Sequence, residues 1–148
     1  MQKNQQYTTF YLDGQFFGVE ATKVQEIIRF QPMTRVPLAA REVAGLINLR
    51  GQIVTAIDLR ERLHLAARVG ERQPMNVVVR SAEGAVSLLV DEIGDVVEVN
   101  EDTFEPPPET VDEVARELVR GTYKLDDKLL LILDTERALA VGPSATPV

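Results

Sequence analysis

Gly45-Leu46-Ile47-Asn48-Leu49-Arg50-Gly51-Gln52-Ile53-Val54-Thr55-Ala56-Ile57-Asp58-Leu59 reads as a glycine, a strand, a two-residue turn, a second strand and a closing aspartate. The same order returns 76 positions later, without a gap, in Gly121-Thr122-Tyr123-Lys124-Leu125-Asp126-Asp127-Lys128-Leu129-Leu130-Leu131-Ile132-Leu133-Asp134-Thr135. Gly45 falls on Gly121, Leu49 on Leu125, Ile53 on Leu129, Ile57 on Leu133 and Asp58 on Asp134. A weaker echo precedes it: Val19-Glu20 ahead of Val24 and Glu26 resembles Val90-Asp91 ahead of Asp95 and Val97. Unrelated hairpins share some of this pattern, but two motifs in the same order point to an internal repeat.

Outward from these hairpins the chain reads as short strands. Thr8–Leu12 and Gln15–Val19 flank Asp13-Gly14, a strong hairpin signal. Val24, Ile27 and Ile28 have helical spacing, and Thr22 with Gln25 fits a capping box, which predicts a short helix over 22–28. Thr34–Val36 suits a short strand, Ala39–Ala44 a helical turn, and Arg60–Leu65 a short helical piece. Ala66–Pro74 is polar and aperiodic, a linker. Asn76–Arg80, Ala85–Val90 (after a turn at Glu83-Gly84) and Ile93–Val99 are strands, and Phe104-Glu105-Pro106-Pro107-Pro108 breaks the pattern. Val111, Val114, Ala115 and Leu118 have helical spacing, although Leu118 onwards also suits a strand. Leu129–Leu133 is a buried strand, Thr135 a cap for a helix over 136–141, and 142–148 a flexible tail. The sum is a mainly β protein with a few short helices. It is expected to form two five-stranded barrels, the first over about 7–65 and the second over about 75–140.

Composition narrows the function. With 16 Lys+Arg against 23 Asp+Glu the chain carries −7, and no stretch gathers basic residues. Nucleic acid and direct membrane binding are therefore not expected. Cysteine is absent, which removes disulfides, thiol catalysis and cysteine-ligated metals and fits a cytoplasmic protein. The one histidine, His64, has no second histidine to share a metal with. No phosphate loop, nucleophile elbow or calcium loop is present. Asp58, Asp91 and Asp134 stand at strand ends, where aspartate commonly caps the next turn. No catalytic residue, cofactor or metal is expected, and an interaction module is the natural class. A small β-barrel ligand-binding protein is the alternative. One asymmetry in the repeat stands out, Arg50-Gly51 at one hairpin tip against Asp126-Asp127 at the other, and a solvated surface arginine is its ordinary explanation. A turn needs no such cation, so Arg50 is a candidate for a role beyond folding.

Several segments resemble the CheW family, the coupling proteins of bacterial chemotaxis. They are Phe17-Gly18-Val19, Val24-Gln25-Glu26-Ile27-Ile28-Arg29, Gly45 to Ile53, Ile57-Asp58-Leu59-Arg60, Leu89-Val90-Asp91 with Asp95-Val96, and Gly121 with Leu129 to Asp134. The resemblance covers about residues 7–140 and implies two five-stranded SH3-like barrels. It implies a non-enzymatic scaffold that joins the regulatory domain of a CheA-type histidine kinase to the cytoplasmic tip of a methyl-accepting chemoreceptor. The alternative is the same adaptor fold serving a motility or developmental chemosensory pathway. Carried over by motif, Val24, Glu26, Ile27, Arg50, Ile93 and Val96 are receptor-binding, with Val24 and Ile27 facing Ile93 and Val96 across a groove and Glu26 near Arg50. Met33, Arg35, Gly45 and Gly51 are kinase-binding. The four apolar receptor positions suit core packing equally well, and the two glycines suit turns. The acidic stretch 106–120 departs from the family pattern, so contacts there are the least secure.

Overall fold

The computed structural model describes residues 4–70, 72–82, 84–109 and 113–140. The Asp13-Gly14 signal gives its hairpin: β1 (Asn4–Leu12) and β2 (Gln15–Glu20) pair antiparallel around a turn in which both residues have positive φ. A 3-10 turn, Ala21–Lys23, leads to β3 (Val24–Ile28). The helix expected over 22–28 is therefore a turn and a strand. The helical spacing goes unused: β-branched Val24, Ile27 and Ile28 pair with a neighbouring strand, which supplies the backbone partners a lone short helix lacks, and Ile27 falls on the exposed face.

The quoted repeat forms β4 (Val43–Leu49), β5 (Gln52–Asp58) and helix α1 (Leu59–Arg62). The expected helical turn over 39–44 is instead an irregular segment, with β4 already under way at Val43. The expected strand at Thr34 shrinks to a single bridge, Thr34 to Leu46. The second half supplies β6 (Met75–Ser81), β7 (Gly84–Val90), β8 (Glu92–Asn100), α2 (Glu113–Leu118), β9 (Val119–Lys124), β10 (Leu129–Leu133) and α3 (Thr135–Leu139). Glu83, Val111 and the expected tail 142–148 lie outside the described residues.

The repeat is structural: β4, β5 and α1 recur as β9, β10 and α3. Asp58 accepts the Arg60 backbone N–H at 3.0 Å and Asp134 accepts that of Arg137 at 3.1 Å, so both closing aspartates are N-caps. Thr135, expected as the cap, is the first helical residue. Asp134→Ala is expected to cost about 1 kcal/mol, read as a lower urea midpoint at unchanged slope. An unmoved midpoint would show that the cap contributes nothing. Register corrects the weaker echo. Ile27 pairs with Val77 and Ile93 with Phe10, each two residues beyond the partner of Val90 or Val19, so Ile27 corresponds to Ile93.

The two five-stranded sheets have the orders β8-β1-β2-β10-β9 and β3-β6-β7-β5-β4. This corrects the expected division at the linker. One barrel is the continuous stretch 24–90, and the other combines 4–20 with 92–133. The reason is the pairing of β2 with β10 and of β5 with β7, which are parallel. Parallel neighbours cannot be joined by a tight turn, so the chain crosses between sheets after β2 and again after β7. The 66–74 linker separates sequence repeats, not barrels.

Equivalent bridges link the segment after each edge strand to the opposite edge. Thr34 bonds Leu46 through both backbone groups at 2.8 Å, and Glu105 bonds Thr122 at 2.9 and 2.8 Å. Phe104–Pro108 thus leaves the sheet as its prolines demand, yet Glu105 still makes one rung. The repeat glycines permit the approach. A Cβ on Gly45 would lie 2.8 Å from Thr34 O, and one on Gly121 2.5 Å from Glu105 O.

One apolar core joins the barrels. Phe10, Phe17, Leu131 and Leu133 of one sheet meet Ile57, Val77, Leu88 and Val90 of the other, with Leu63 and Leu118 from the helical segments. Smaller clusters belong to single sheets, Tyr7 with Phe16, Tyr123 and Ile132, and Ile47 with Leu49, Val54 and Val78. Arg62 adds a polar tie, donating to the carbonyls of Arg137 at 2.9 Å and Ala140 at 3.1 Å at the end of α3. The barrels therefore behave as one body.

Candidate functional site

The receptor-assigned residues occupy the outer edges of both sheets. Val24 and Ile27 lie on β3, and Ile93 and Val96 on β8. Val24 and Ile93 pack against the shared core. Ile27 is 39% exposed and Val96 58%, so only these two offer substantial apolar surface. Edge strands invite foreign strands unless charge guards them. Here Asp95 and Glu98 flank Val96, and all three are exposed.

Glu26 and Arg50 meet in an ion pair that spans the mouth of the 24–90 barrel, from edge strand β3 to the β4–β5 turn. The turn holds Arg50 at a φ of 51° and Gly51 at 89°. The Asn48 side chain accepts the Gly51 N–H at 2.8 Å and fixes it. The hydrogen bond from Arg50 holds the Glu26 carboxyl below its ordinary range and, in return, raises the guanidinium. Arg50 is 72% exposed, and pairs so solvated add little to stability. The pair thus presents a cation and a carboxylate in fixed geometry at the surface.

The kinase-assigned residues split in two. Met33 and Gly45 come together at the barrel-closing bridge, where a Gly45 Cβ would lie 3.0 Å from that of Met33. Gly45 therefore serves close approach and not a turn. Arg35 follows the bridge and is exposed. Gly51 lies apart from these, at the far end of the same hairpin beside Arg50.

Asp91 was legible only as a strand-end cap, and the structure gives it more partners. It follows β7, where the chain crosses between the sheets. It accepts from Arg60 Nε at 3.0 Å, from Arg68 at 2.9 Å and from the Asp13 backbone N–H at 2.8 Å. Its own N–H donates to Tyr11 O at 3.0 Å. Burial alone would raise its carboxyl, but the hydrogen bonds from Arg60, Asp13 and Arg68 outweigh it and bring the group down to about 2. This anchor ties the first hairpin, α1 and the linker to one crossover, so it fixes how the barrels sit together. Ile53, 60% exposed beside Gly51 and Gln52, is a further surface residue that the motif comparison left unassigned.

Two fused five-stranded barrels with charged edges and one shared core define an all-β two-barrel module. The model of the CheW-like domain matches residues 6–141. The chain is 31% identical over 139 residues to the chemotaxis protein CheW of Bacillus subtilis, covering 94% of this chain and 89% of that one. It is 29% identical over 136 residues to the chemotaxis protein CheW of Klebsiella aerogenes, covering 92% and 82%. The crystal structure of the scaffolding protein TtCheW from Thermoanaerobacter tengcongensis matches with a TM-score of 0.85 at 27% identity, over 97% of this chain and 98% of that one. The chain belongs to the CheW-like domain family. Among the described residues no helix is long and apolar enough to cross a membrane.

Proposed function

We propose that this chain is a cytoplasmic, non-catalytic scaffold that holds the regulatory domain of a CheA-type histidine kinase against the cytoplasmic tip of a methyl-accepting chemoreceptor. The shared core carries the reading. A coupler has to keep two partner faces at fixed separation and angle, and a single core spanning both barrels does that. The receptor face is the pair of edge strands with exposed Ile27 and Val96, together with Glu26 and Arg50. The kinase face is the Met33–Arg35 segment and Gly45, with Gly51 at the hairpin tip. Opposite charges at the two repeat tips, Arg50 against Asp126-Asp127, let similar barrels select different partners.

Arg50→Ala tests the receptor half. The side chain is mostly in water, so the melting temperature is expected to stay put. Kinase binding by titration is expected to persist, while receptor-dependent kinase activity in a reconstituted array falls to the receptor-free level. Full receptor control in this variant would overturn the assignment of Arg50.

A further inference from the structure

The segment between β3 and β4 holds a residue that the fold does not use. Val36 to Ala39 make a turn, closed by the Ala39 N–H on Val36 O at 3.4 Å, with Pro37 second and Leu38 third. Leu38 has a φ of 65°. The third position of such a turn at positive φ is ordinarily filled by Gly or Asn, because a Cβ there crowds the backbone. Leu38 carries that strain and gains no burial for it, since 78% of the residue faces solvent. A large apolar side chain held out in a strained conformation is poor folding chemistry and good anchoring chemistry.

Its surroundings describe what it would enter. Val36, Pro37, Ala39 and Val43 line a shallow hollow of mixed character beside it, together with Arg35, Arg41 and Glu61. Arg41 reaches Glu61 at 3.9 Å and is offset. Arg35 makes no ion pair among the described residues, so it is an uncompensated cation on a chain of net charge −7. A matching surface has an apolar pocket with a carboxylate at its edge.

We infer that Leu38 is an anchor for the kinase, inserting into an apolar pocket of the regulatory domain whose rim supplies a carboxylate to Arg35. This rests on the kinase-binding reading of Met33 and Arg35 and adds the residue that carries the contact. The backbone strain gives the test its sign. Leu38→Gly removes the anchor and relieves the turn at once.

The experiment is calorimetric titration of the full chain into the full-length partner kinase, beside thermal melts of each variant. Leu38→Gly is expected to weaken binding about tenfold or more, with a melting temperature equal to or above that of the parent. Leu38→Met, which keeps a long apolar side chain, is expected to bind like the parent, and Arg35→Gln to show weaker binding with a flatter salt dependence. Parent-like affinity in Leu38→Gly would overturn the anchor while leaving the kinase reading intact. A lowered melting temperature in Leu38→Gly would show that the fold does need the side chain and overturn the premise. No binding by the parent would overturn both readings.

Discussion

Gly121→Val is expected to be the most damaging single substitution on the edge strands of either barrel. Gly121 lies on β9 against the segment that closes its barrel. A Cβ there would stand 2.5 Å from the Glu105 carbonyl oxygen and closer still to the Phe104 ring. The ring could swing away at the expense of its packing on Tyr123, 5.2 Å between centroids. The carbonyl cannot, because it accepts the Thr122 N–H at 2.8 Å while the Glu105 N–H donates back at 2.9 Å. A valine therefore has to break that bridge or push the segment off the barrel. Overpacking of this kind costs about 3 kcal/mol, enough to lower the melting temperature by about 10 °C in a chain of this length. Gly51→Ala is the control: its Cβ would meet open space, and only the positive φ is strained, a cost of about 1 kcal/mol. Equal losses in the two variants, in parallel thermal melts, would show that close approach at Gly121 is not what the glycine provides.

Asp91→Asn is expected to be comparably severe and to carry a pH signature. The substitution removes the charge that holds Arg60 and Arg68, whose side chains are 13% and 18% exposed. Arg68 then has no counter-charge among the described residues and Arg60 keeps only Asp13, at 3.8 Å, and mostly buried guanidiniums stripped in this way are costly. The sign of the pH effect follows from the depressed carboxyl, about 2 against an ordinary 3.8. A lowered folded-state value means stability fully present above the unfolded-state value and lost as pH falls from about 4 through 2. The shift corresponds to about 2 kcal/mol at neutral pH. Urea denaturation should show the parent falling towards the Asp91→Asn variant across that window. The gap should be widest near pH 7 and mostly closed near pH 2. A gap that stays constant with pH would mean that the Asp91 charge is not the source of the stability.

What the amino-acid sequence disclosed was local. Asp13-Gly14, the paired hairpins and the strand-end aspartates are short-range chemistry legible at sight, although the last helix is capped by Asp134 and not by its neighbour Thr135. β3 reads as a helix because Val24, Ile27 and Ile28 have helical spacing and not strand alternation, and only pairing with the partner β6 decides against it. The division into barrels was misread for a related reason. Apolar alternation tells a strand which face to bury but not which sheet to join, and β2 finds its parallel neighbour far along the chain. In the site, the charge asymmetry of the repeat singled out Arg50, and the family pattern supplied Glu26. The Asp91 anchor was hidden because its arginines lie 31 and 23 residues away with no motif to mark them. Leu38 was hidden because leucine gives no hint of a positive φ.

The interleaving of the two sheets also sets an order of events during synthesis. The 24–90 barrel has all five of its strands once β7 has been made. The β1–β2 hairpin waits longer: its lasting neighbours, β8 on one side and β10 on the other, are made only after all the strands of that barrel. Phe10, Leu12, Phe17 and Val19, all buried in the finished protein, therefore wait on the nascent chain against a half-built core. Closure of the second barrel against the first completes the shared core and seats the edge strand β8, which carries exposed Val96. A product cut short after β7 would thus lack both the edge strand β8 and half of the shared core.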